Sequence, residues 1–154
     1  MEKTNVMRLL DLAHISYVPH DYDASIVDGV TVARTLNQDE ERVFKTLICV
    51  SDRKDYFVFD VPVAQELDLK KAAKVSQRKS IEMIPLKELL PLTGYWHGGC
   101  SPIGLKKPFP VFVDETAQLF DTVFVSAGKR GCQIEISPLD LQRYTQAVFA
   151  DLLR

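Results

Sequence analysis

Apolar residues recur along this chain at two spacings, and the change between them predicts short helices alternating with short strands. From Val6 to Ala13 the apolar positions follow the i, i+3, i+4, i+7 pattern of a helix. Thr4 or Asn5 stands where an N-cap residue is expected. Further helices are predicted over residues 31–36, beginning near Asp28, over residues 67–75, and over residues 85–90, where Pro91 helps to end the helix.

The strands are predicted from apolar and β-branched runs bounded by polar turns. Residues 42–50 form one such run and residues 56–61 form another. The polar segment 51–55 between them predicts an antiparallel hairpin. The other predicted strands cover residues 15–18, ended by Pro19, and residues 80–84, 111–114, 122–126 and 132–136, with a loop over 127–131 between the last two.

The final segment carries the sequence signature of a helix N-terminus. Ser137 is placed as the N-cap, Pro138 at the first helical position and Asp140 at the third. The pattern as a whole predicts an α+β fold, in which residues 1–154 form one domain with a mixed or mostly antiparallel sheet. The apolar stripe predicted for the final helix consists of Leu141, Tyr144, Val148 and Leu152.

The composition is that of a soluble globular protein. The chain has 154 residues, of which 46% are hydrophobic and 26% are charged, so it is long enough to bury a core. No apolar run approaches the roughly 20 residues of a membrane span. Residues 1–5 lack the apolar segment of a signal peptide. We therefore expect a cytoplasmic protein with no membrane-spanning segment.

The cysteine and histidine residues do not indicate a metal or a disulfide framework. Both sets are odd in number and widely spaced, so nothing in the sequence indicates a metal ion or an organic cofactor. His97 and Cys100 are close together, but a third group that would orient such a pair is missing. The residues concerned are Cys49, Cys100 and Cys132, and His14, His20 and His97.

Basic residues cluster locally although the net charge is −2. Lys106–Lys107 and Lys129–Arg130 form two pairs, and five further basic residues lie within residues 70–79. Such patches suit weak contacts with phosphate groups. The alternative is a solvated helix face, which is the simpler interpretation of residues 70–79 taken alone.

Residues 94–104 form the most distinctive segment, with four of the seven glycines and the only tryptophan. Paired glycines allow backbone angles that side chains forbid, and Pro102 fixes one φ angle. Backbone N–H groups in such a loop can approach a carbonyl oxygen or a phosphate closely. The segment matches neither a P-loop nor GxGxxG, so on glycine content alone an ordinary connecting loop is the better interpretation.

Lys45 interrupts an apolar strand. Period-2 alternation places it on one face with Val43, Leu47 and Cys49. A buried ammonium group is costly unless it is paired, and a cleft that receives an anion would resolve the conflict. The alternative is a lysine whose head group reaches solvent at the strand end.

Three motifs in the same order make the chain similar to the YbaK family of aminoacyl-tRNA editing deacylases. They are Phe44–Leu47, the Gly-Gly-Cys-Ser-Pro-Ile-Gly segment over residues 98–104, and residues 126–131. The resemblance extends from about Thr4 to the C-terminus. It implies a barrel-like sheet surrounded by helices.

The resemblance also implies an activity. Family members hydrolyse mischarged aminoacyl-tRNA, and the YbaK type acts on Cys-tRNA(Pro), where the thiol of the substrate attacks its own ester and no protein nucleophile is needed. The implied partners are aminoacyl-tRNA, with tRNA(Pro) foremost, and prolyl-tRNA synthetase.

Matching motif by motif assigns roles to residues of this chain. Lys45 falls on the essential lysine, Thr46 follows it, and Tyr22 matches an aromatic residue that lines the pocket, with Tyr17 close by in sequence. Cys100 occupies a position where the family requires no cysteine. The two glycine loops supply the remaining implied substrate contacts, which are Gly99, Ser101, Gly104, Ser126 and Gly128.

Two alternatives remain open on the sequence. The same chemistry would suit another small amino acid, such as alanine on tRNA(Pro). A non-catalytic module would keep the pocket to bind RNA, an aminoacyl ligand or a partner. Lys45 and both glycine loops favour the enzyme.

Overall fold

The computed structural model describes residues 2–154. The helices are α1 (Asn5–Leu12), α2 (Gly29–Thr35), α3 (Leu69–Ser76), α4 (Leu89–Thr93) and α5 (Pro138–Thr145). The strands are β1 (Val18–Asp21), β2 (Phe44–Ser51), β3 (Tyr56–Pro62), β4 (Ile81–Met83), β5 (Val111–Asp114), β6 (Val123–Lys129), β7 (Cys132–Ile136) and β8 (Val148–Ala150). Short 3-10 helices cover Leu86–Glu88 and Glu115–Leu119.

The strands form two sheets that are joined at one point. The larger sheet has the order β4-β2-β3-β5-β8, and β5 pairs in parallel with both β3 and β8. The smaller sheet, β1-β7-β6, is antiparallel throughout. A parallel bridge between Val43 and Phe124 connects them, and Phe124 N donates to Arg42 O at 2.9 Å.

These sheets confirm the predicted α+β class with mixed pairing, as well as the β2–β3 hairpin. Among residues 2–154 the sheets do not close into a barrel, because β4 and β8 end the larger sheet as edge strands. In the same described range, no helix is both long and apolar enough to cross a membrane.

Both faces of the larger sheet are covered. Val58 belongs to the main core beneath α1 and the smaller sheet, whereas Phe57 and Phe59 belong to a second cluster that includes Ala72 and Ala73 of α3. A strand buried on both faces needs apolar residues at successive positions. This explains why residues 56–61 are apolar at successive positions, with Asp60 as the exception.

Side-chain caps begin the helices where the sequence predicts them. Thr4 Oγ1 accepts from Met7 N at 3.2 Å at the start of α1. Asp28 Oδ2 accepts from Thr31 N at 3.0 Å at the start of α2. These caps satisfy backbone donors that the first helical turn leaves free.

The predicted strand over residues 15–18 is wrong in its position, because the strand runs from Val18 to Asp21 and contains Pro19. β1 pairs only with β7, so it is an edge strand with one side free. An edge strand tolerates a proline because the missing N–H is not required there.

The final helix is shorter than its apolar stripe predicts. α5 ends at Thr145, and Gln146 has a left-handed φ of 60°. Val148 then begins β8, which pairs in parallel with β5, and Leu152 N donates to Asp114 Oδ1 at 2.9 Å. Val148 and Leu152 therefore lie outside the helix, since sheet pairing outweighed the helical spacing of the apolar residues.

The loop predicted over residues 127–131 is mostly strand. β6 continues to Lys129, with a register shift between Ser126 and Lys129 in its pairing with β7. β6 carries two extra residues here, Ala127 and Gly128, and such an insertion bends a strand locally and increases its twist, which is common beside functional sites.

Two helix boundaries also differ from the prediction. α3 begins at Leu69 rather than Leu67, because Asp68 caps it by accepting from Lys70 N and Lys71 N. Pro91 lies inside α4, in its first turn, where the missing N–H breaks no helical hydrogen bond.

Gly104 offers a test of how tightly residues 94–104 are packed. Its φ is +74°, and an added Cβ would lie 2.8 Å from the Tyr95 hydroxyl oxygen, which donates to Ile103 O. We expect Gly104→Ala to lower the free energy of unfolding by roughly 2–5 kcal/mol through left-handed strain and crowding. Urea denaturation measures this change.

Gly94→Ala is the matched control. Its φ is +82°, but an added Cβ would meet only the Lys106 side chain at 3.9 Å. The control should lose only about 1–2 kcal/mol, which is the strain alone. Equal losses in the two variants would show that crowding by Tyr95 contributes nothing.

Candidate functional site

A cavity of about 550 Å³ opens where the two sheets meet. Val43 and residues 44–48 of β2 form one wall, and the smaller sheet contributes Ser126 and Gln133. The N-terminus of α2 closes another side. The segment from Met83 to Leu89 and the glycine loop complete the lining. The cavity is therefore assembled from segments that are far apart in the chain.

Lys45 lines this cavity as a half-buried side chain. Its ammonium group forms no ion pair or hydrogen bond within residues 2–154. Burial lowers the pKa of Lys45, and the charges of Glu66 and Asp28 oppose this shift. A positive charge without an ion-pair partner in a partly apolar cavity is suited to an anionic ligand.

Thr46 follows Lys45 in β2, and its side chain is held by a hydrogen bond to Asp60 of the neighbouring strand β3. Thr46 Oγ1 donates to Asp60 Oδ1 at 2.5 Å across the β2–β3 pair. Because this hydrogen bond uses the threonine proton, the hydroxyl oxygen can act only as an acceptor toward the cavity. Asp60 is fully buried and its Oδ2 has no partner in the described chain, so burial raises the pKa of Asp60 to about 7.

Ser126 and Gln133 face each other across β6 and β7 and both line the cavity. Ser126 Oγ accepts from Gly128 N at 3.1 Å and keeps its own proton for a ligand. Gln133 is 7% exposed, and its Oε1 has no hydrogen-bond partner in the described chain. A buried amide oxygen without a partner costs stability, and a ligand donor would satisfy it.

The predicted residues of the first glycine loop are split by the structure. Ser101 is fully buried, and its Oγ accepts from Ile103 N at 3.2 Å. Gly104 packs against Tyr95 and Leu9. Neither lines the cavity. Gly99 lies next to it, where an added Cβ would touch the backbone of Lys129 at 3.0 Å.

The same loop does reach the cavity through His97, Gly98 and Cys100. Gly99 N already donates to Trp96 O at 2.9 Å. The N–H groups of His97, Gly98 and Cys100 donate no hydrogen bond to any other residue in the range 2–154, so the loop retains donors for a ligand oxygen.

Tyr22 lines the cavity, whereas Tyr17 donates to Asp11 Oδ1 at 3.0 Å on the far side of β1. Gly128 lies outside the cavity and packs against Val6 and Tyr95. The structure therefore brings together four of the residues predicted for the site: Tyr22, Lys45, Thr46 and Ser126.

Cys100 is poorly suited to act as a nucleophile. It is 9% exposed, and burial raises the pKa of its thiol to about 12, with Asp60 adding to the shift. The thiol therefore stays protonated near neutral pH. Among the described residues, no group of three His, Cys, Asp or Glu side chains is arranged to hold a metal ion.

Neither Gln133 nor the role of Asp60 was predicted from the sequence. Gln133 follows the glycine turn at residues 130–131 in an alternating strand, where an outward-facing polar residue is ordinary. Its pairing with Ser126 exists only in the folded sheet. Asp60, which interrupts the apolar run 56–61, was the one available signal for a special buried polar group.

The arrangement suits hydrolysis of an activated ester. Lys45 supplies positive charge, the free N–H groups of the glycine loop can meet a developing oxyanion, and Ser126 can donate a further hydrogen bond. Thr46 and Gln133 supply acceptors for an ammonium group.

The family match and a relative in Enterococcus faecalis both relate this chain to aminoacyl-tRNA editing proteins. Residues 24–144 match the Aminoacyl-tRNA editing domain family. A protein of Enterococcus faecalis, provisionally named Cys-tRNA(Pro)/Cys-tRNA(Cys) deacylase EbsC, is 42% identical over 153 residues, which cover 98% of this chain and 93% of that protein. An uncharacterized protein of Bacillus subtilis, YwhH, is 26% identical over 81% of this chain and 79% of its own length.

Solved structures share the fold. A structure provisionally described as a trans-editing enzyme for prolyl-tRNA synthetase superimposes with a TM-score of 0.85 at 23% identity, covering 100% of this chain and 99% of that one. The hypothetical protein APE2540 superimposes with a TM-score of 0.91 at 21% identity, covering 98% and 100%. At these identities the likeness shows the fold alone.

The raised pKa of Asp60 predicts a pH-dependent stability. Between its ordinary pKa of 3.8 and about 7, the folded protein keeps a proton that the unfolded chain releases, so the contribution of Asp60 to stability falls as pH rises through this window. We expect Asp60→Asn to gain roughly 2–4 kcal/mol relative to the native protein between pH 4 and pH 8. Urea denaturation across this range measures the difference.

Asp55→Asn is the control for this measurement. Hydrogen bonds from Arg78 and Ser51 hold the pKa of Asp55 far below its ordinary value. Its carboxylate is therefore ionised in both states above about pH 5, and the effect of this substitution should be flat from pH 5 to pH 8. A flat profile for Asp60→Asn as well would contradict the raised pKa.

Proposed function

We propose that this chain, which belongs to the aminoacyl-tRNA editing domain family, hydrolyses the ester bond of mischarged aminoacyl-tRNA, with Cys-tRNA(Pro) as its main substrate. The family match over residues 24–144 and the 42% identity to the E. faecalis protein support the reaction class. The observation that carries the proposal is the half-buried Lys45 ammonium, which has no counter-ion in the described chain and lines a cavity with Thr46, Ser126 and Gln133.

The first step we propose is binding of the aminoacyl end in the cavity. The ammonium of Lys45 lies against the negative charge of the terminal nucleotide or of the developing oxyanion. The α-ammonium group of the amino acid is placed between two acceptors, Thr46 Oγ1 and Gln133 Oε1. No group of the described chain donates a hydrogen bond to either oxygen, which supports this orientation.

The second step uses the thiol of the substrate itself. Its proton is lost to solvent, the sulfur attacks the ester carbonyl carbon, and the bond between that carbon and the tRNA oxygen breaks. The tRNA oxygen takes up a proton and leaves as the free 3′-terminal hydroxyl. Water then opens the cyclic cysteine thioester. The raised pKa of Cys100 supports a route without a protein nucleophile.

An alanyl ester on tRNA(Pro) is the second candidate substrate. A cavity of about 550 Å³ admits either amino acid, so its volume does not select between them. Alanine has no thiol, so its ester would need a water molecule as the nucleophile. The thiol route therefore favours cysteine through chemistry rather than through size.

The partners we propose follow from the small size of the chain. The tRNA acceptor end supplies the contacts, and prolyl-tRNA synthetase supplies selectivity for tRNA(Pro). The local basic pairs suit weak phosphate contact rather than tight binding by this chain alone. We place the reaction in the cytoplasm, where charged tRNA is used.

Lys45→Ala tests the reaction directly. We expect the native protein to deacylate Cys-tRNA(Pro) faster than Ala- or Pro-tRNA(Pro), and Lys45→Ala to lower kcat/KM for the cysteine ester at least about hundredfold by removing the charge at the oxyanion. Loss of radiolabelled amino acid from purified charged tRNAs measures each rate.

Lys74→Ala is the control, because Lys74 is an exposed lysine on α3, away from the cavity. It should keep full activity. Equal rates for every charged tRNA of the panel, measured with the protein near stoichiometric to the tRNA, would contradict an enzymatic function. A binding module would then remain. Unfolding of Lys45→Ala would assign Lys45 a structural role.

Gln133→Leu separates binding from folding. We expect the free protein to become more stable by roughly 1 kcal/mol, since a buried oxygen without a partner is removed. We expect KM for Cys-tRNA(Pro) to rise about tenfold, because the ammonium loses a charge-assisted hydrogen bond.

Denaturation and steady-state kinetics on the same preparation give both numbers. Gln133→Glu is the companion variant, because it keeps the acceptor and should retain a low KM. A Leu variant with lower stability and unchanged KM would contradict the proposed role of Gln133.

A further inference from the structure

A second, smaller cleft lies beside the main cavity. It has a volume of about 330 Å³ and is lined by Trp96, Gly99, Gly128, Lys129 and Arg130. We propose that this cleft binds a nucleotide of the single-stranded 3′ end of the RNA, with its base stacked on Trp96 and its phosphate held by Lys129 and Arg130. The choice of RNA rests on the proposed function.

Trp96 is the most informative residue of the cleft. It is the only tryptophan of the chain, and it is 67% exposed on the surface of a tightly packed loop. Its neighbours Tyr95 and Gly99 are buried, so the loop holds the indole outward on a fixed backbone. An exposed indole contributes little to folding, whereas it offers a face on which any base can stack.

The two basic residues come from the end of β6, at Lys129, and from the turn that follows it, at Arg130. Arg130 Nε donates to His97 O at 2.7 Å, which fixes the guanidinium group against the glycine loop. Neither Lys129 nor Arg130 forms an ion pair within the part of the chain that the structure describes. Two cations without protein counter-ions are complementary to the phosphates of a nucleic acid strand.

The cleft adjoins the main cavity, because neighbouring residues of the same two loops line them. Gly98 lines the cavity and Gly99 lines the cleft, and on the other loop Ser126 lines the cavity while Gly128 lines the cleft. An added Cβ on Gly99 would lie 3.0 Å from the backbone of Lys129, so the two loops touch at this point. A strand whose last residue occupies the cavity can therefore place a preceding nucleotide in the cleft.

Charge and shape favour a nucleic acid over a protein segment at this place. Further cations lie near this loop, since Lys106 and Lys107 are exposed and Lys106 N donates to Thr93 O, three residues before Trp96. The chain as a whole carries a net charge of −2, so the positive charge of this surface differs in sign from the net charge of the protein. Stacking joined to phosphate contacts is how single strands are bound.

Trp96 makes the proposal directly measurable, because intrinsic tryptophan fluorescence comes from this residue alone. The probe is an uncharged single-stranded RNA of about twelve nucleotides that ends in CCA at its 3′ end. We expect saturable quenching of the native protein as the RNA is added, because a base stacks on the indole. A blunt RNA hairpin without a single-stranded end should quench far less.

Variants are compared through the fluorescence anisotropy of the same RNA labelled at its 5′ end. Trp96→Ala should weaken binding roughly tenfold, and Trp96→Phe should restore part of the loss, since a ring remains for stacking. Lys129→Ala should weaken binding several-fold and lower the slope of log K against log salt by about 0.7, the value for one phosphate contact on a single strand. Lys74→Ala should bind as the native protein does.

Unchanged affinity of Trp96→Ala, or equal quenching by the blunt hairpin, would overturn the proposal. These assays use uncharged RNA, so they do not depend on deacylation. Binding with quenching but without deacylation would support the cleft and contradict the proposed enzyme. If the native protein deacylates the charged tRNA but Trp96→Ala binds the RNA as tightly as the native protein, the proposed enzyme is supported and the proposed cleft is contradicted.

Discussion

The parallel bridge between Val43 and Phe124 is the contact on which the site depends. It joins the two sheets, and two residues beyond it in each strand stand Lys45 and Ser126. In a strand, residues two apart lie on the same face. The bridge therefore carries the lysine of one sheet and the serine of the other to the same cavity, although 81 positions separate Val43 from Phe124 in the chain.

The cavity concentrates polar groups that the fold leaves without partners. In the described chain the Lys45 ammonium has no ion-pair partner and Gln133 Oε1 accepts no hydrogen bond, and Asp60 Oδ2, in the core behind Thr46, accepts none either. Each of these groups lowers the stability of the free protein. Elsewhere polar side chains are well satisfied, as at Asp114, which accepts from Thr116 and Leu152. This difference distinguishes a binding site from the rest of the core.

The second loop shows how local distortion supports the same arrangement. Ser126 is the last residue of β6 in register before the irregular pairing with β7, and it lines the cavity, whereas Lys129, just after the irregularity, lines the outer cleft. Gly128, with a φ of +97°, occupies the irregularity and packs against Tyr95. One strand thus serves both the proposed aminoacyl cavity and the proposed nucleotide cleft.

The sequence by itself determined the elements that depend on local chemistry. Capping by Thr4, Asp28 and Ser137 depends on short-range side-chain hydrogen bonds. The β2–β3 hairpin depends on the apolar runs on both sides of a polar turn. The strand pattern likewise marked Lys45 as unusual, because a charge in an apolar strand conflicts with burial, and the family resemblance of the Phe44–Leu47 motif then favoured a functional role for it.

Only the tertiary structure decided which residues meet. Val148 fits the stripe of a helix, yet it forms β8, because pairing with Phe112 of β5 satisfies its backbone across 36 residues of chain. Ser101 and Gly104 belong to the loop motif but face the interior, while Gln133 reaches the cavity from a strand with no motif. Spacing records which residues are neighbours along the chain, whereas the cavity is made by contacts between distant strands, and those contacts form only when the two sheets pack together.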